Sequence, residues 1–470
     1  MPTSVPVESY ASFLNTRAAR RKPSPIRALQ AVLATAPAGL ISLGGGMPNP
    51  ALFPFSGISV TLRDGTVLSL SEESVRAALQ YSPTPGIPEL VSRLERVQRG
   101  EHSPPGAAGD RMAVMVGTGS QDLLAKAFDT FLDEETPVVI EAPTYSGTLA
   151  ALEPIGCPLI TIPSSTDGTG IDVGAVEELA AAFESGERAG PRPRLIYVIP
   201  TAGNPTGATM PLENRRRLYA AARRLGSLII EDDPYRFLDF GEVVDPADAD
   251  ADAAAAAARS STPVARTPSL LSMDEDGRVL RFDSFSKLLS AGLRIGTVTG
   301  PKELVDALGL HAQASCLHTS GVSQALVLEL FRHWGVGDKT PPAEDGSARC
   351  MGDMEAHIAE VASFYRSQRD ACIEAINKHL RDPGLAELYA VPSGGMFAWI
   401  KVPGLADTTA LVKERAAAAG VLFVPGSAFV PGGGSAHSAF VRASFSVASH
   451  EQLDESIPPL RERDSRLGSD

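Results

Sequence analysis

The sequence predicts an α/β fold, a mostly parallel central sheet covered by helices on both faces, followed by a smaller α+β domain. Three observations carry that expectation. Short apolar runs alternate with amphipathic stretches between about 112 and 300. Near Gly352 the rhythm gives way to one long helical pattern and a few short strands. The chain, at 470 residues, is longer than a single hydrophobic core usually organises.

Met112–Val116 is an apolar run of strand length, and Ser120-Gln121 then opens a helix with Leu124, Ala127, Phe128 and Phe131 on one stripe. Val138–Ile140 is a buried strand that ends at Glu141-Ala142-Pro143. Leu195–Ile199 is another, stopped by Pro200. A helix from Pro211 turns Leu218, Ala222 and Leu225 inward, and Gly226 ends it. Leu228–Ile230, Val279–Phe282 and Ile295–Thr299 complete the strands. Beyond Gly352, Met354–His379 reads as a long helix, with short strands near Met396–Val402 and Phe440–Phe445. Two stretches lack any period that could bury a face: Val243–Thr267, with alternating Asp-Ala and a six-alanine tract, and Gly335–Gly352, with Pro341-Pro342. Both are expected to be mobile surface loops.

Composition narrows the function classes. The hydrophobic share of 43% and charged share of 21% suit a globular protein. Lys+Arg 42 against Asp+Glu 56 leaves a net charge of −14, which repels phosphate backbones and argues against a nucleic-acid partner. No apolar run approaches the roughly 20 residues that cross a bilayer, so no membrane is expected. The opening residues lack a basic region followed by an apolar one, so a cytoplasmic location is expected. The cluster Arg17, Arg20, Arg21 and Lys22 makes a mitochondrial location the alternative. Cys157, Cys316, Cys350 and Cys372 are scattered and read as free thiols in a reducing compartment. The eight histidines show no HxxxH-type pair, so no metal is expected.

In an open α/β sheet, ligands sit beyond the carboxyl ends of the strands, so the polar residues that follow each strand matter most. After Met112–Val116 comes Gly117-Thr118-Gly119-Ser120-Gln121, at a helix N-terminus. Tyr145 follows Val138–Ile140, and Gly203-Asn204-Pro205-Thr206-Gly207 follows Leu195–Ile199. Asp232, Asp233 and Tyr235 follow Leu228–Ile230. Ser284, Ser286 and Lys287 follow Val279–Phe282, with Arg294 seven residues past the lysine. Free backbone N–H groups and hydroxyls at a helix N-terminus, joined by a guanidinium, make a phosphate cradle. Lys287 offers an amine able to condense with an aldehyde. A carboxylate, an aromatic face and an amide remain. A phosphorylated aromatic aldehyde would use all of them, and pyridoxal phosphate is such a molecule.

Taken singly, each residue has an ordinary explanation: a solvated lysine at 287, a turn former at 232, a plain turn at 204–207, packing residues at Tyr81 and Tyr145. Their order at successive strand ends is what separates them from that background. The runs Ser284-Phe285-Ser286-Lys287, Asn204-Pro205-Thr206-Gly207 and Asp232-Asp233-Pro234-Tyr235 resemble the hallmarks of the class I/II aminotransferases of fold type I, whose cofactor is pyridoxal 5′-phosphate. Further runs resemble the kynurenine/2-aminoadipate aminotransferases and the fungal aromatic aminotransferases. These are Pro23-Ser24-Pro25-Ile26-Arg27, Gly45-Gly46-Met47-Pro48-Asn49-Pro50, Gln80-Tyr81-Ser82-Pro83, Ala-Pro-Thr-Tyr-Ser-Gly at 142–147, Leu271-Ser272-Met273-Asp274 and Val441-Arg442-Ala443-Ser444-Phe445-Ser446.

The resemblance implies transfer of an α-amino group from an aromatic amino acid, kynurenine or 2-aminoadipate to a 2-oxo acid such as 2-oxoglutarate. It implies that Lys287 holds the cofactor and shuttles a proton, and that Asp232 pairs with the pyridine nitrogen. Asn204 and Tyr235 would bond the ring's phenolic oxygen, and Tyr145 would stack on the ring. Ser120, Gln121, Ser284, Ser286 and Arg294 would hold the phosphate, with Tyr81 reaching it from a second subunit. Arg442 would grip the substrate carboxylate, while Gly46 and Arg27 line the substrate side together with Tyr81, Tyr145 and Asn204. It further implies a homodimer with a shared site, a mobile N-terminal segment (1–54) packing with the small domain and the active site, a large cofactor domain (55–334) and a small domain (335–470). Two other activities compete. A decarboxylase or β-lyase would use the same cofactor, and a transcriptional regulator with an aminotransferase-like module would need a basic DNA-binding domain for which the acidic chain offers no material.

Overall fold

The computed structural model describes residues 7–25, 46–241, 266–338, 350–432 and 436–460. After a short hairpin of β1 (Ser59–Thr61) and β2 (Val67–Ser69), seven strands build the main sheet. They are β3 (Met112–Gly117), β4 (Val138–Ala142), β5 (Leu159–Pro163), β6 (Leu195–Val198), β7 (Leu228–Asp232), β8 (Val279–Ser284) and β9 (Gly296–Pro301). Their order across the sheet is β3-β9-β8-β7-β6-β4-β5.

The apolar runs become strands buried on both faces, and alternate residues feed opposite layers. Val138, Ile140, Leu195, Tyr197, Leu228 and Ile230 pack against Leu124, Phe128 and Phe131 of the helix Ser120–Phe131 and against Leu304 and Leu308 of the helix Lys302–Ser315. Val139, Ile196, Val198 and Ile229 face the other way, onto Val176 and Leu179 of the helix Val173–Ser185 and Leu218, Ala222 and Leu225 of Leu212–Leu225.

The sheet is mostly parallel, as expected, with one reversal. β9 runs antiparallel to both β3 and β8. Only residues 285–295 join β8 to β9, and a parallel crossover needs a dozen or more residues, so the chain can only turn back. The register then puts Gly117, Gly296 and Ser284 side by side at one end of the sheet, which is the carboxyl end of every parallel strand. The edge strand β5 escaped the sequence pattern because it is half exposed and bounded by Pro158 and Pro163. β6 stops at Val198, one residue before the expected end.

A second sheet is antiparallel, with β10 (Glu387–Leu388), β11 (Phe397–Lys401), β12 (Val424–Pro425) and β13 (Phe440–Ser444) in the order β10-β11-β13-β12. The long helix covers Met354–Ile376, three residues short of the expected end, and a wider helical turn follows at Asn377–Arg381. Met354 and Ile358 at its start pack with Leu90, Phe285 and Phe331, whereas Cys372, Ile373 and Ile376 pack under the second sheet.

Most of the two expected mobile loops lies outside the described residues, but their flanks are not loose. Val336 and Met351 are buried in the same core as Phe331, and the Gly337 N–H donates to the Cys350 carbonyl over 2.7 Å. Arg266 pairs with Glu101 and Glu355 and stacks on Phe237. The N-terminal segment also differs from expectation over residues 7–25, where it packs on the main domain. Tyr10 is buried with its hydroxyl donating to Gly277 O at 2.7 Å, and Asn15 donates to Leu132 O at 2.6 Å.

Candidate active site

The carboxyl ends of the strands carry their polar residues into one cavity of about 310 Å³. Ser120, Gln121, Tyr145, Asn204, Asp232, Tyr235, Ser284, Ser286, Lys287, Arg294 and Arg442 all line it, together with Ile199, Pro234, Ala291 and Phe397. The loops and strand ends of the main sheet supply all but the last of each group. Arg442 comes from β13 and Phe397 from β11.

One end of the cavity is built for an anion. The helix Ser120–Phe131 starts here, presenting the free N–H groups of its first turn. Gly119, with φ +81, is the residue before it, and a Cβ there would lie 2.5 Å from the Arg294 guanidinium. Gly296 makes the matching allowance from below, since a Cβ on it would meet the Ser120 amide nitrogen at 2.6 Å. Arg294 itself holds a left-handed backbone (φ 53, ψ 48), a conformation rare for residues with a side chain and one that concentrates at ligand sites. Its guanidinium touches the Ser286 hydroxyl at 3.4 Å and Thr118 O at 3.5 Å, and no described carboxylate neutralises it.

The cavity wall also holds a carboxylate. Asp232 closes β7 and is buried; its Oδ2 accepts the Tyr197 hydroxyl at 2.8 Å, while its Oδ1 has no partner. Burial pushes its carboxyl up to about 7, helped by Asp233 and Asp283, and opposed by the Tyr197 hydroxyl and Arg281. Asp233, the other acid of the pair, points down to Arg281 at 3.0 Å instead of into the cavity.

Lys287 lines the same cavity. Burial, then the positive fields of Arg294 and Arg442, hold its amine below the usual lysine range, so the neutral, nucleophilic form is more accessible. It makes no ion pair with any described residue. Burial and Asp232 push the phenols of Tyr235 and Tyr145 upward, so both stay protonated. The Tyr145 ring lies over Gly147, where any Cβ would come within 2.5 Å of it.

Arg442 completes the wall. It donates to Asn204 Oδ1 at 2.9 Å, and its guanidinium sits 4.1 Å from the Phe397 ring and 4.9 Å from that of Phe429. The strand register explains the first stacking: Trp399 pairs directly with Arg442, so Phe397, two residues away, lies on the same face. The Nε of Arg442 is buried without a partner, and no described carboxylate pairs with the group.

The residues present are a cation-and-hydroxyl cradle, a free amine, a buried carboxylate with an open oxygen and an unpaired guanidinium. A family model described as aminotransferase class I and II matches residues 65–458. The chain belongs to this family. The aminotransferase is 38% identical to the mitochondrial kynurenine/alpha-aminoadipate aminotransferase of Mus musculus, over 96% of its own length and 98% of the relative's. It shares the fold of the aminotransferase Aro8 from Candida albicans, with a TM-score of 0.80 at 24% identity over 97% and 98% of the two chains. The Pyrococcus horikoshii kynurenine aminotransferase, solved with PMP, kynurenine and its product, aligns with a TM-score of 0.67 at 26% identity over 97% of both chains.

The family's cofactor is pyridoxal 5′-phosphate, and the aminotransferase's cavity fits it. The orphaned Asp232 Oδ1 suits a protonated ring nitrogen, and the unneutralised Arg294 beside a helix N-terminus suits a phosphate. Two of the residues anticipated from the sequence lie elsewhere. Tyr81 is exposed, edge-on to His318, and lines a separate cavity of about 600 Å³ with Met47–Pro50. Gly46 adjoins that run and is exposed, and Arg27 lies outside the described residues. The sequence patterns also missed Tyr197 and Phe397, which read as ordinary strand apolars. Only the pairing of neighbouring strands brings them to the site. Among the described residues, no helix is long and apolar enough to cross a membrane, and no cluster of metal-ligating side chains occurs.

Proposed function

We propose that this enzyme transfers the α-amino group of aromatic amino acids, kynurenine or 2-aminoadipate to a 2-oxo acid such as 2-oxoglutarate. The observation that carries the proposal is Arg442: a half-buried guanidinium that no described carboxylate pairs with, facing the same cavity as the Lys287 amine and Asp232. A planar cation in that position is matched to the carboxylate that amino and 2-oxo acids share. The names of the mouse and Pyrococcus proteins support the choice of side chain. A decarboxylase would have to release the carboxylate that Arg442 is placed to retain.

When bound, the cofactor's ring takes up the electron pair left as the α-proton departs and carries the amino group between the two acids. The chain's own residues do the rest. Ser120, Gln121, Ser284, Ser286 and Arg294 would hold the phosphate, and Tyr145 would cover the ring. Asn204 and Tyr235 would hydrogen-bond its phenolic oxygen, and Asp232 would keep its nitrogen protonated. Lys287 Nζ would anchor the cofactor, then carry the proton between the substrate Cα and the cofactor's aldehyde carbon. Phe397 and Phe429 would keep water from the Arg442 fork.

We also assign a homodimer. One chain leaves Tyr81 and the Met47–Pro50 run facing solvent along a cavity of about 600 Å³, and also exposes Val67, Leu317 and Val322, apolar side chains suited to cover by a second copy. Gly46 and Arg27 would then serve the substrate side of the completed site. For location, the mouse relative's name supports the mitochondrial alternative over the cytoplasmic expectation. Arg17 and Arg21 of the basic cluster are tied to Asp129 in the folded chain.

A panel of amino donors with 2-oxoglutarate tests the proposal. Turnover is expected with phenylalanine, tyrosine, tryptophan, kynurenine and 2-aminoadipate, and strict selectivity for aspartate or alanine would defeat it. Arg442→Lys keeps the charge but loses the two-pronged donor and the flat cation that stacks on Phe397. Its KM for both the amino acid and the 2-oxo acid should rise roughly 10- to 100-fold, about the value of one or two charged hydrogen bonds. A KM change for one substrate alone would contradict a shared carboxylate clamp.

A further inference from the structure

Tyr197 is fully buried in the middle of the sheet, yet its hydroxyl reaches a carboxylate that lines the cavity. Its strand β6 pairs with β7 so that Tyr197 sits opposite Ile230. Asp232 is two residues further along β7 and on the same face, a diagonal separation that only a long side chain can span. The phenol covers it, with 2.8 Å between its oxygen and Asp232 Oδ2. The ring is held from behind by Phe128, edge-on at 5.9 Å and 70°. Phe128 belongs to the helix whose first turn forms the anion cradle. The Thr148 hydroxyl, also buried, neighbours the same phenol and has no other partner.

Asp232 needs such a donor. The charged groups that act on it are Asp233 at the same strand end and Asp283 and Arg281 on β8, and the neutral, titratable phenols of Tyr145 and Tyr235 also neighbour it. The acids Asp233 and Asp283 disfavour a third negative charge, and burial does so more strongly. Arg281 favours that charge but spends its own donors on Glu231, Asp233 and Asp283. Tyr197 is the one described side chain that donates directly to Asp232.

We infer that Tyr197 is a positioning residue: by occupying Oδ2 it keeps Asp232 ionised and leaves Oδ1 as the one oxygen free to meet the cofactor's ring nitrogen. This rests on the proposed role of Asp232. The hydrogen bond fixes which oxygen is open and stabilises the anion; it does not touch the substrate.

Tyr197→Phe deletes one oxygen and keeps the ring against Phe128, so the fold should persist, which a melting curve of the cofactor-free protein checks. The holoenzyme variant should lose cofactor on dialysis faster than the parent, and kcat at neutral pH should fall roughly 10- to 100-fold, the worth of one hydrogen bond to a charged group. Without the donor the carboxyl titrates higher, so its ionised fraction at neutral pH drops. The acid limb of the kcat profile should therefore move up by about one pH unit, with activity recovering as the pH rises. A residue that only fills space would not move that limb. In an Asp232→Ala background, Tyr197→Phe should cost nothing further. If Asp232→Ala itself keeps both cofactor and turnover, the role of Asp232 is wrong. If Asp232→Ala is inactive while Tyr197→Phe keeps the parent's acid limb and cofactor retention, the inference about Tyr197 alone is overturned.

Discussion

Lys287→Ala is expected to abolish covalent retention of the cofactor and to lower kcat by about 10⁴-fold or more, the upper range for a positioned acid–base group. Nothing else described in the cavity can take over. The other described lysines lie outside it, and its remaining cations, Arg294 and Arg442, are guanidinium groups that cannot act as nucleophile or base. The local fields point the same way. Burial and two neighbouring guanidinium groups lower the affinity of Lys287 for a proton, so the wild-type amine is neutral at a lower pH than a surface lysine would be. Lys287→Arg should fail as completely as Lys287→Ala despite keeping a positive charge, because the guanidinium cannot give up its proton at accessible pH. The measurement is the visible absorption band of the purified protein together with turnover. Both persisting in Lys287→Ala would remove the mechanism proposed above. Small amines added to Lys287→Ala should restore part of the turnover, since the phosphate cradle and Asp232 remain intact.

How far the chain could be understood before folding depended on where each residue's partner lies. Strand ends were legible because apolar runs stop abruptly at Asp232, Ser284 and Gly117, and because an open α/β sheet directs those ends to one rim. Arg294 and Lys287 followed from the same logic, lying on the loop that leaves β8. Interior polar residues were not legible. Tyr197 within Leu-Ile-Tyr-Val looks like one more apolar strand residue, and its hydroxyl gains meaning only when β6 and β7 are set in register. Arg215, in a run of three arginines, reads as part of a solvated helix face. The structure buries it completely, with its donors on Pro200 O, Met210 O and Pro268 O, where it ties the loop after β6 to the chain after 265. Strand direction was likewise invisible in the apolar pattern; loop length decided it at β9. Tyr81 and the run at Gly46 were legible only through the resemblance, since no strand end carries them and the single chain leaves both exposed.

Arg281→Met is expected to destabilise the cofactor-free protein by about 3–5 kcal/mol, the usual cost of removing one member of a buried ionic cluster. Arg281 lies at the centre of β8 with no exposure. Its guanidinium meets Glu231 at 3.1 Å, Asp233 at 3.0 Å and Asp283 at 2.7 Å. Burial alone would lower its proton affinity, but the three carboxylates outweigh that and raise it. Methionine fills similar volume and leaves those carboxylates facing one another in an apolar layer. Glu231 keeps two backbone donors, the Leu270 and Leu271 amides, and Asp283 keeps Gln98, but no cation of comparable proximity remains. Because the harm comes from uncompensated negative charge, protons should relieve it: the deficit relative to wild type should narrow as the pH is lowered. Restoring charge balance from the other side should help as well, so Asp283→Asn added to Arg281→Met should recover part of the loss, a coupling that independent sites would not show. The loss of Arg281 should also reach the cavity, since its field is one of those that keep Asp232 charged, and the folded variant should hold the cofactor less tightly. Urea unfolding at two pH values, with and without the second substitution, measures all of this. A loss below about 1 kcal/mol, or one independent of pH, would mean that the cluster's charges are far better solvated than their burial implies.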